Sequence, residues 1–340
     1  MSSELLVPSA SCNFRCDGAE HRYNSSLSST YVVNGSYSNV KWAAINYSGY
    51  LSRDVVRIGG VEAADQMFEE WTSAMAYSIG SWEYGYDGII GLAPPWRPEG
   101  GSYMPNTLSG LLPQLDAPIF SLKLPTKEGD QGELLLGATN RDLYVCEPTT
   151  VPLSNHADRF FPASWTLPAE AITFNSQVPL QTTCGSSDWG PGPCNAFIDS
   201  SIPYIMLPHA LAANITAAVG ARPGPLWFYN IPCERRQELP TLTVTLGGHN
   251  FSISAFEYTL EVEIPHQGVT CLVSIMDESD FSLPRPWNGI ILGNPFIRGF
   301  YSVFDMEKRE IGCKCAHSFY DSCIMPWRLN ELTCLLQLPS

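Results

Sequence analysis

The chain has 340 residues, with 19 Lys or Arg against 34 Asp or Glu, for a formal net charge of −15 with His neutral. Gripping a polyanion takes clustered cations that displace counterions, so a nucleic-acid partner is excluded. A hydrophobic content of 44%, with 9 Trp, 15 Tyr and 15 Phe, describes a chain that folds around a large core, and its length suggests about two domains.

From the amino end, Met1 to Pro8 shows no basic start followed by an apolar run, so no signal peptide is visible. The 27 Gly and 27 Pro break the chain into short apolar runs bounded by turns, the pattern of a mostly β protein. Ser52 to Ile58 reads as a strand before Gly59-Gly60, and Ile89 to Leu92 as another after Asp87-Gly88. Leu108 to Leu115 has helical spacing, and Glu133 to Leu136 before Gly137 is again a strand. Val151 to Ser164, with Pro152, His156, Asp158 and Pro162, reads as a connection between two halves. Ala196 to Ile198 and Tyr204 to Leu207 are apolar strands on either side of Asp199-Ser200-Ser201. A helix follows from Pro208 to Val219, with Pro in its first turn and Gly220 at its end. No run of 18 apolar residues exists, since Pro208, His209 and Asn214 interrupt the best candidate, and no membrane span is expected.

Leu242 to Leu246 before Gly247-Gly248 is a further strand. Gly289-Ile290-Ile291-Leu292-Gly293 then echoes Gly88-Ile89-Ile90-Gly91-Leu92, which suggests two similar lobes. Past Gly312 the register changes to Cys-Lys-Cys-Ala-His and an irregular tail ending at Ser340. The 11 Cys read as a disulfide framework with one thiol left over. Five Asn-x-Ser/Thr sequons, at Asn24, Asn34, Asn46, Asn214 and Asn250, agree with passage through the secretory pathway.

Common catalytic signatures are missing: there is no GxSxG, GxxxxGK[ST], HExxH or GxGxxG. The six His (21, 156, 209, 249, 266 and 317) are dispersed singly and read as surface or packing residues. The strongest local signal is Asp199, a carboxylate in a small-hydroxyl turn at the end of an apolar strand. Desolvation there raises its pKa while amides and hydroxyls lower it, which is how acid–base catalysts are tuned. The plain alternative is an Asx-turn in which the carboxylate caps only its own turn.

The segment Cys194 to Pro208 resembles the second catalytic loop of pepsin-like aspartic proteases, in which an apolar pair precedes Asp-Thr/Ser-Gly-Thr/Ser and a strand ending in Leu-Pro follows. Further segments are similar in the family's order. They are Glu4 to Ser9, Tyr23 to Tyr31, Ser48 to Asp54, Asp87 to Ala93, Ile291 to Arg298, and Tyr301 to Asp305 with Ile311-Gly312. The match runs from about residue 2 to residue 316. It implies an all-β, bilobal acid-protease fold with short helices and a substrate cleft between the lobes. The lobes are expected at residues 1–153, with a flap near 40–50, and 154–316, followed by a Cys-containing tail at 317–340. The implied activity is that of an aspartic endopeptidase working at acidic pH, without metal or cofactor. Two carboxylates share one proton; one activates a water and the other protonates the developing oxyanion.

In that resemblance Asp199 is catalytic, and Trp42, Ser200 and Ser201 contact substrate. The chain also departs from the pattern. The family's first catalytic Asp precedes the Ser-Ser that here is Ser2-Ser3, so Met1 falls where the Gly of Asp-Thr-Gly would be. Asp17 belongs to a disulfide loop, and Asp87 and Asp305 match structural positions. The expectation is a longer gene product carrying a signal peptide, a propeptide and the first Asp, with the chain as written inactive or nearly so; a genuinely shortened relative is the alternative. Ser201 replaces a Gly, Ile202 replaces a hydroxyl donor, and Pro203 removes an amide, which together should raise the Asp199 pKa. Trp42 replaces the flap Tyr, and Ala43, Ala44 and Ile45 replace Gly-Thr-Gly.

The resemblance pairs Cys12 with Cys16, Cys184 with Cys194, and Cys233 with Cys271. Cys146, Cys313, Cys315, Cys323 and Cys334 stay unassigned, and the Cys313-x-Cys315-x-His317 spacing is read as tail cysteines rather than a zinc site. The expected partner is a peptide or protein substrate, the expected state a monomer, and the expected place the secreted or vacuolar space. The competing function is a non-catalytic relative that binds peptides or a protein partner in the same cleft.

Overall fold

The computed structural model describes residues 4–16, 18–42, 45–76, 87–94, 106–126, 129–144, 148–154, 164–180, 194–224, 228–264, 268–277 and 289–315. The chain divides into two compact units, residues 1–117 with 162–164, and residues 118–161 with 165–340. Both are built mainly of strands with a few short helices, as the turn-rich sequence predicts.

The first unit is one sheet of β1 (Leu5–Pro8), β2 (Val32–Trp42), β3 (Ile45–Ile58), β4 (Val61–Ala76) and β5 (Ile89–Ile90). Their order is β2-β3-β4-β1-β5, with β1 parallel to β4 so that Leu6 lies opposite Glu69. Alternation along β3 decides which face is inside: Ile45, Tyr47 and Gly49 are buried, while Asn46, Ser48 and Tyr50 are not. Leu6, Ile45, Tyr47, Trp71 and Ala74 form a core with Cys12 and Cys16, and the Tyr47 and Trp71 rings sit 4.8 Å apart. Helix α1 (Thr107–Leu111) is capped by the Asn106 side chain, which accepts from the Ser109 amide at 3.3 Å. It is shorter than the helical spacing to Leu115 suggests. Pro113 has no amide to donate, and the chain tightens into a 3₁₀ turn over Leu112–Gln114.

The second unit continues with β6 (Ile119–Lys123), β7 (Glu133–Leu136), β8 (Thr149–Pro152), β9 (Trp165–Phe174), β10 (Ser176–Pro179), β11 (Cys194–Ile198) and β12 (Ile205–Leu207). Then come helix α2 (His209–Ala218), β13 (Arg222–Pro223), β14 (Tyr229–Ile231), β15 (Leu242–Leu246), β16 (His249–Ile253) and helix α3 (Ala255–Tyr258). They are followed by β17 (Thr259–Ile264), β18 (Gly268–Val273), β19 (Ile275–Asp277), β20 (Gly289–Leu292), helix α4 (Asn294–Arg298), β21 (Phe300–Asp305) and β22 (Glu310–Cys315).

Three sheets result. One runs β16-β15-β9-β11-β20-β12-β19 with β10 paired to β9; a second runs β13-β14-β18-β17; a third runs β7-β6-β21-β22-β8. The third sheet joins strands far apart in sequence, Phe120 lying opposite Phe304. Those two rings stack at 4.5 Å, and Trp165 closes on both at 5.7 and 5.0 Å. All three side chains are fully buried, each contributing about 1.5–3 kcal/mol of burial free energy. Helix α2 begins one residue later than predicted, with Pro208 as its N-cap. Gly220 ends it in the left-handed region at φ 64°, which glycine adopts without steric cost.

Candidate active site

Strand β11 is buried along its whole length, lying between antiparallel β9 and parallel β20. Cys194, Ala196 and Ile198 are apolar on one face, and Asn195 and Phe197 are buried on the other, so neither face meets solvent. The chain leaves β11 at Asp199, whose amide donates to the Leu292 carbonyl at 3.2 Å. It then crosses the end of β20 and returns as β12 on that strand's far side, with Ile205 opposite Leu292.

Gly293 makes this crossing possible. A Cβ there would collide with the carbonyl oxygens of Ile202 and Tyr204, so only glycine lets the turn lie against the end of β20. The Asn294 amide donates to the Ile202 carbonyl at 2.8 Å and holds the same turn from below. Phe197, Met206 and Ile291 form the apolar floor, with Ile202, Tyr204 and Met276 packed against them.

Above that floor Asp199 is half-buried, and Ser201 donates twice to its Oδ1, from the amide at 2.9 Å and from the hydroxyl at 2.7 Å. Burial pushes the Asp199 pKa up, and the two bonds from Ser201 pull it down. The substitutions at 201–203 were expected to raise it. Ser201, which replaces a glycine, supplies an amide and a hydroxyl to the carboxylate, while Ile202 packs on the apolar floor. The carboxylate thus caps its own turn, the Asx-turn that the sequence allows. Ser200 is half-buried in the same turn.

Trp42 ends β2 opposite Ile45 at the start of β3, and Ala43 and Ala44 lie outside the described residues. Cys12 is bonded to Cys16, and Cys233 to Cys271 across 5.0 Å between Cα atoms. Cys194 is disulfide-bonded, and its expected partner Cys184 lies outside the described residues, as do Cys146, Cys323, Cys334 and His317. Cys313 is a buried free thiol, its pKa pushed by burial up to about 12. Glu261 brings a carboxylate oxygen within 4.8 Å of the Cys233 and Cys271 sulfurs, but those sulfurs are bonded to each other and unavailable to a metal.

Sequence reading missed two pairings. His21 meets the Asp87 carboxylate at 2.6 Å, and Asp87 also accepts the amides of Glu20 and His21, a structural role for the Asp of the Asp-Gly-Ile segment. His209 meets Asp277, which lies opposite Leu207 on β19. Both partners lie more than 60 residues from their His, so no spacing signal exists for either.

A carboxylate on a hydrogen-bonded turn at the end of a buried central strand is a candidate acid–base group. The family model of eukaryotic aspartyl protease matches residues 1–316. Vacuolar protease A of Aspergillus fumigatus is 33% identical over 326 residues, covering 92% of this chain and 72% of the relative. Vacuolar aspartic protease of Candida albicans is 30% identical over 326 residues, 92% of this chain and 69% of its own. Cathepsin D of Clupea harengus is 30% identical over 318 residues, 92% and 74% respectively. The chain belongs to the eukaryotic aspartyl protease family, as an aspartic endopeptidase with peptides or proteins as its substrates. No helix among the described residues is long and apolar enough to cross a membrane.

Proposed function

We propose that this chain hydrolyses internal peptide bonds at acidic pH with Asp199 as one member of a carboxylate pair. The observation that carries the reading is the double donation of Ser201 to Oδ1 of Asp199, which holds the carboxylate in one orientation at the end of β11. In this mechanism one carboxylate of the pair takes a proton from a water attacking the scissile carbonyl, and its protonated partner donates to the oxyanion. Ser200 and Ser201 fix the orientation of the carboxylate, and the hairpin carrying Trp42 contacts the extended peptide. The vacuolar names of the fungal relatives favour an acidic lumen as the working compartment.

The test compares cleavage of an acid-denatured protein by the chain carrying an added Asp-Thr-Gly segment ahead of Ser2 and by its Asp199→Asn variant, with circular dichroism confirming that both fold. Loss of the positioned acid–base group should lower the rate by about 10²–10⁴. A second arm, residues 1–340 without that segment, should cleave more slowly. Cleavage indifferent to Asp199→Asn would sink the assignment.

A non-catalytic peptide binder is the second reading. Its support is Ile202, which sits in the apolar floor where the family's pattern has a hydroxyl. Binding of a labelled apolar peptide without cleavage in both arms would favour it.

A further inference from the structure

The five sequons are not equivalent once folded. Asn46 is half-buried within β3, paired with Lys41 on one side and Met75 on the other. Asn214 is exposed on α2, but the hydroxyl of its sequon, Thr216, is buried and donates to the Ala212 and Ala213 carbonyls at 2.9 and 3.0 Å. Asn34 is exposed and accepts the Ser36 amide at 3.1 Å, and Asn250 accepts the Thr245 hydroxyl across a hairpin at 2.8 Å.

Asn24 shares the exposed kind of turn seen at Asn34 and adds a bond from the hydroxyl of its own sequon. It is exposed at the start of the 3₁₀ turn Ser25–Leu27, and its Oδ1 accepts both the amide and the hydroxyl of Ser26, at 3.1 and 2.7 Å. Ser26 is the hydroxyl residue of the same sequon. Both bonds are made to Oδ1 and not by Nδ2, and both span two residues, so the turn is local in sequence. A local turn of this kind is available to a transferase acting on a chain still being made. Leu27, in the same turn, is 83% exposed.

We infer that Asn24 is an N-glycosylation site whose glycan stands over Leu27. In the transfer, Nδ2 forms a C–N bond with the anomeric carbon of an oligosaccharide carried on a lipid pyrophosphate. The anomeric C–O bond breaks, the lipid pyrophosphate leaves with that electron pair, and an amide proton passes to a base of the transferase. Shielding of Leu27 gives the modification a use: an apolar side chain in an exposed turn is an inviting target in a compartment rich in endopeptidases. The inference rests on passage through the secretory pathway.

The experiment expresses the full chain behind an added secretory leader in a eukaryotic host and maps glycopeptides of the soluble monomer by mass spectrometry. Asn24 should carry a glycan, Ser26→Ala should lose it, and Ser26→Thr should keep it. Asn24 left bare in the leader-bearing chain overturns the inference, whether or not other sequons are filled. A parallel expression without the leader reports on the pathway alone, because its glycans, present or missing, reflect entry rather than the acceptor. Should the Ser26→Ala chain fail to accumulate, Asn24→Gln supplies the missing-glycan form. Limited proteolysis should then cut next to Leu27 at least several-fold faster in whichever variant lacks the glycan, and an unchanged rate would remove the shielding role.

Discussion

The Ser38 hydroxyl on β2 donates to Oε2 of Glu69 on β4 at 2.6 Å, reaching across the intervening strand β3, while the other oxygen of that carboxyl has no hydrogen-bond partner. Glu69 is completely buried, and burial raises its pKa to about 7, with the charge of Glu4 adding to the rise. The folded pKa thus stands above the unfolded one, near 4.5. The stability this group contributes is fully present below about pH 4.5 and is lost as pH rises through about 7. Glu69→Gln should flatten that fall. Urea midpoints at both ends of the window should differ between wild type and variant by about 3 kcal/mol in their pH dependence. Parallel curves would place the burial of Glu69 in error.

Ser201→Ala keeps the amide that reaches Asp199 and removes the hydroxyl. A donor to the charged form is lost, so the Asp199 pKa should rise. The acidic limb of the pH–rate profile should move to higher pH in the variant, while Ser201→Thr keeps the wild-type profile. An unmoved limb would mean that the hydroxyl does not tune the carboxylate.

Gly293→Ala places a methyl against the carbonyls of Ile202 and Tyr204, both backbone atoms of the turn that carries Asp199. Relief requires the turn to lift from the end of β20, at a cost of about 1–3 kcal/mol. Chemical denaturation should show the loss, and activity should fall further than stability does because Asp199 moves with the turn.

The Cys233–Cys271 bridge ties the 3₁₀ segment Cys233–Glu238 to β18. Replacing both cysteines by Ser should cost about 2–4 kcal/mol, read from the denaturant midpoint with the other bridges intact. Because Asp199 lies on a different sheet, turnover measured well below the melting transition should be little changed.

Much of the architecture is written locally. Glu133–Leu136 and Leu242–Leu246 are strands at the residues where apolar runs meet glycine, and the Asp199 turn lies between β11 and β12 as their composition predicts. These features depend on side-chain alternation and turn chemistry within a few residues, which a sequence displays directly. The family was legible for the same reason, since its motifs are short local runs in a fixed order.

Other features arose only in three dimensions. Adjacent Glu69 and Glu70 point to opposite faces of β4, and both are buried, which requires that each face be covered by chain from elsewhere. Such a doublet carries no local sign of burial, because carboxylates are rarely buried without partners. Ile202 replaces a hydroxyl in the motif, yet its role depended on whether Phe197, Met206 and Ile291 lay beneath it. The union of β6 with β21, some 180 residues apart, joined the Ser121 and Tyr301 hydroxyls at 2.7 Å. Local sequence determined which segments are strands and which turn carries the carboxylate. Non-local packing decided which charges are buried and that Ile202 joins the apolar floor, because register and burial depend on chain distant in sequence.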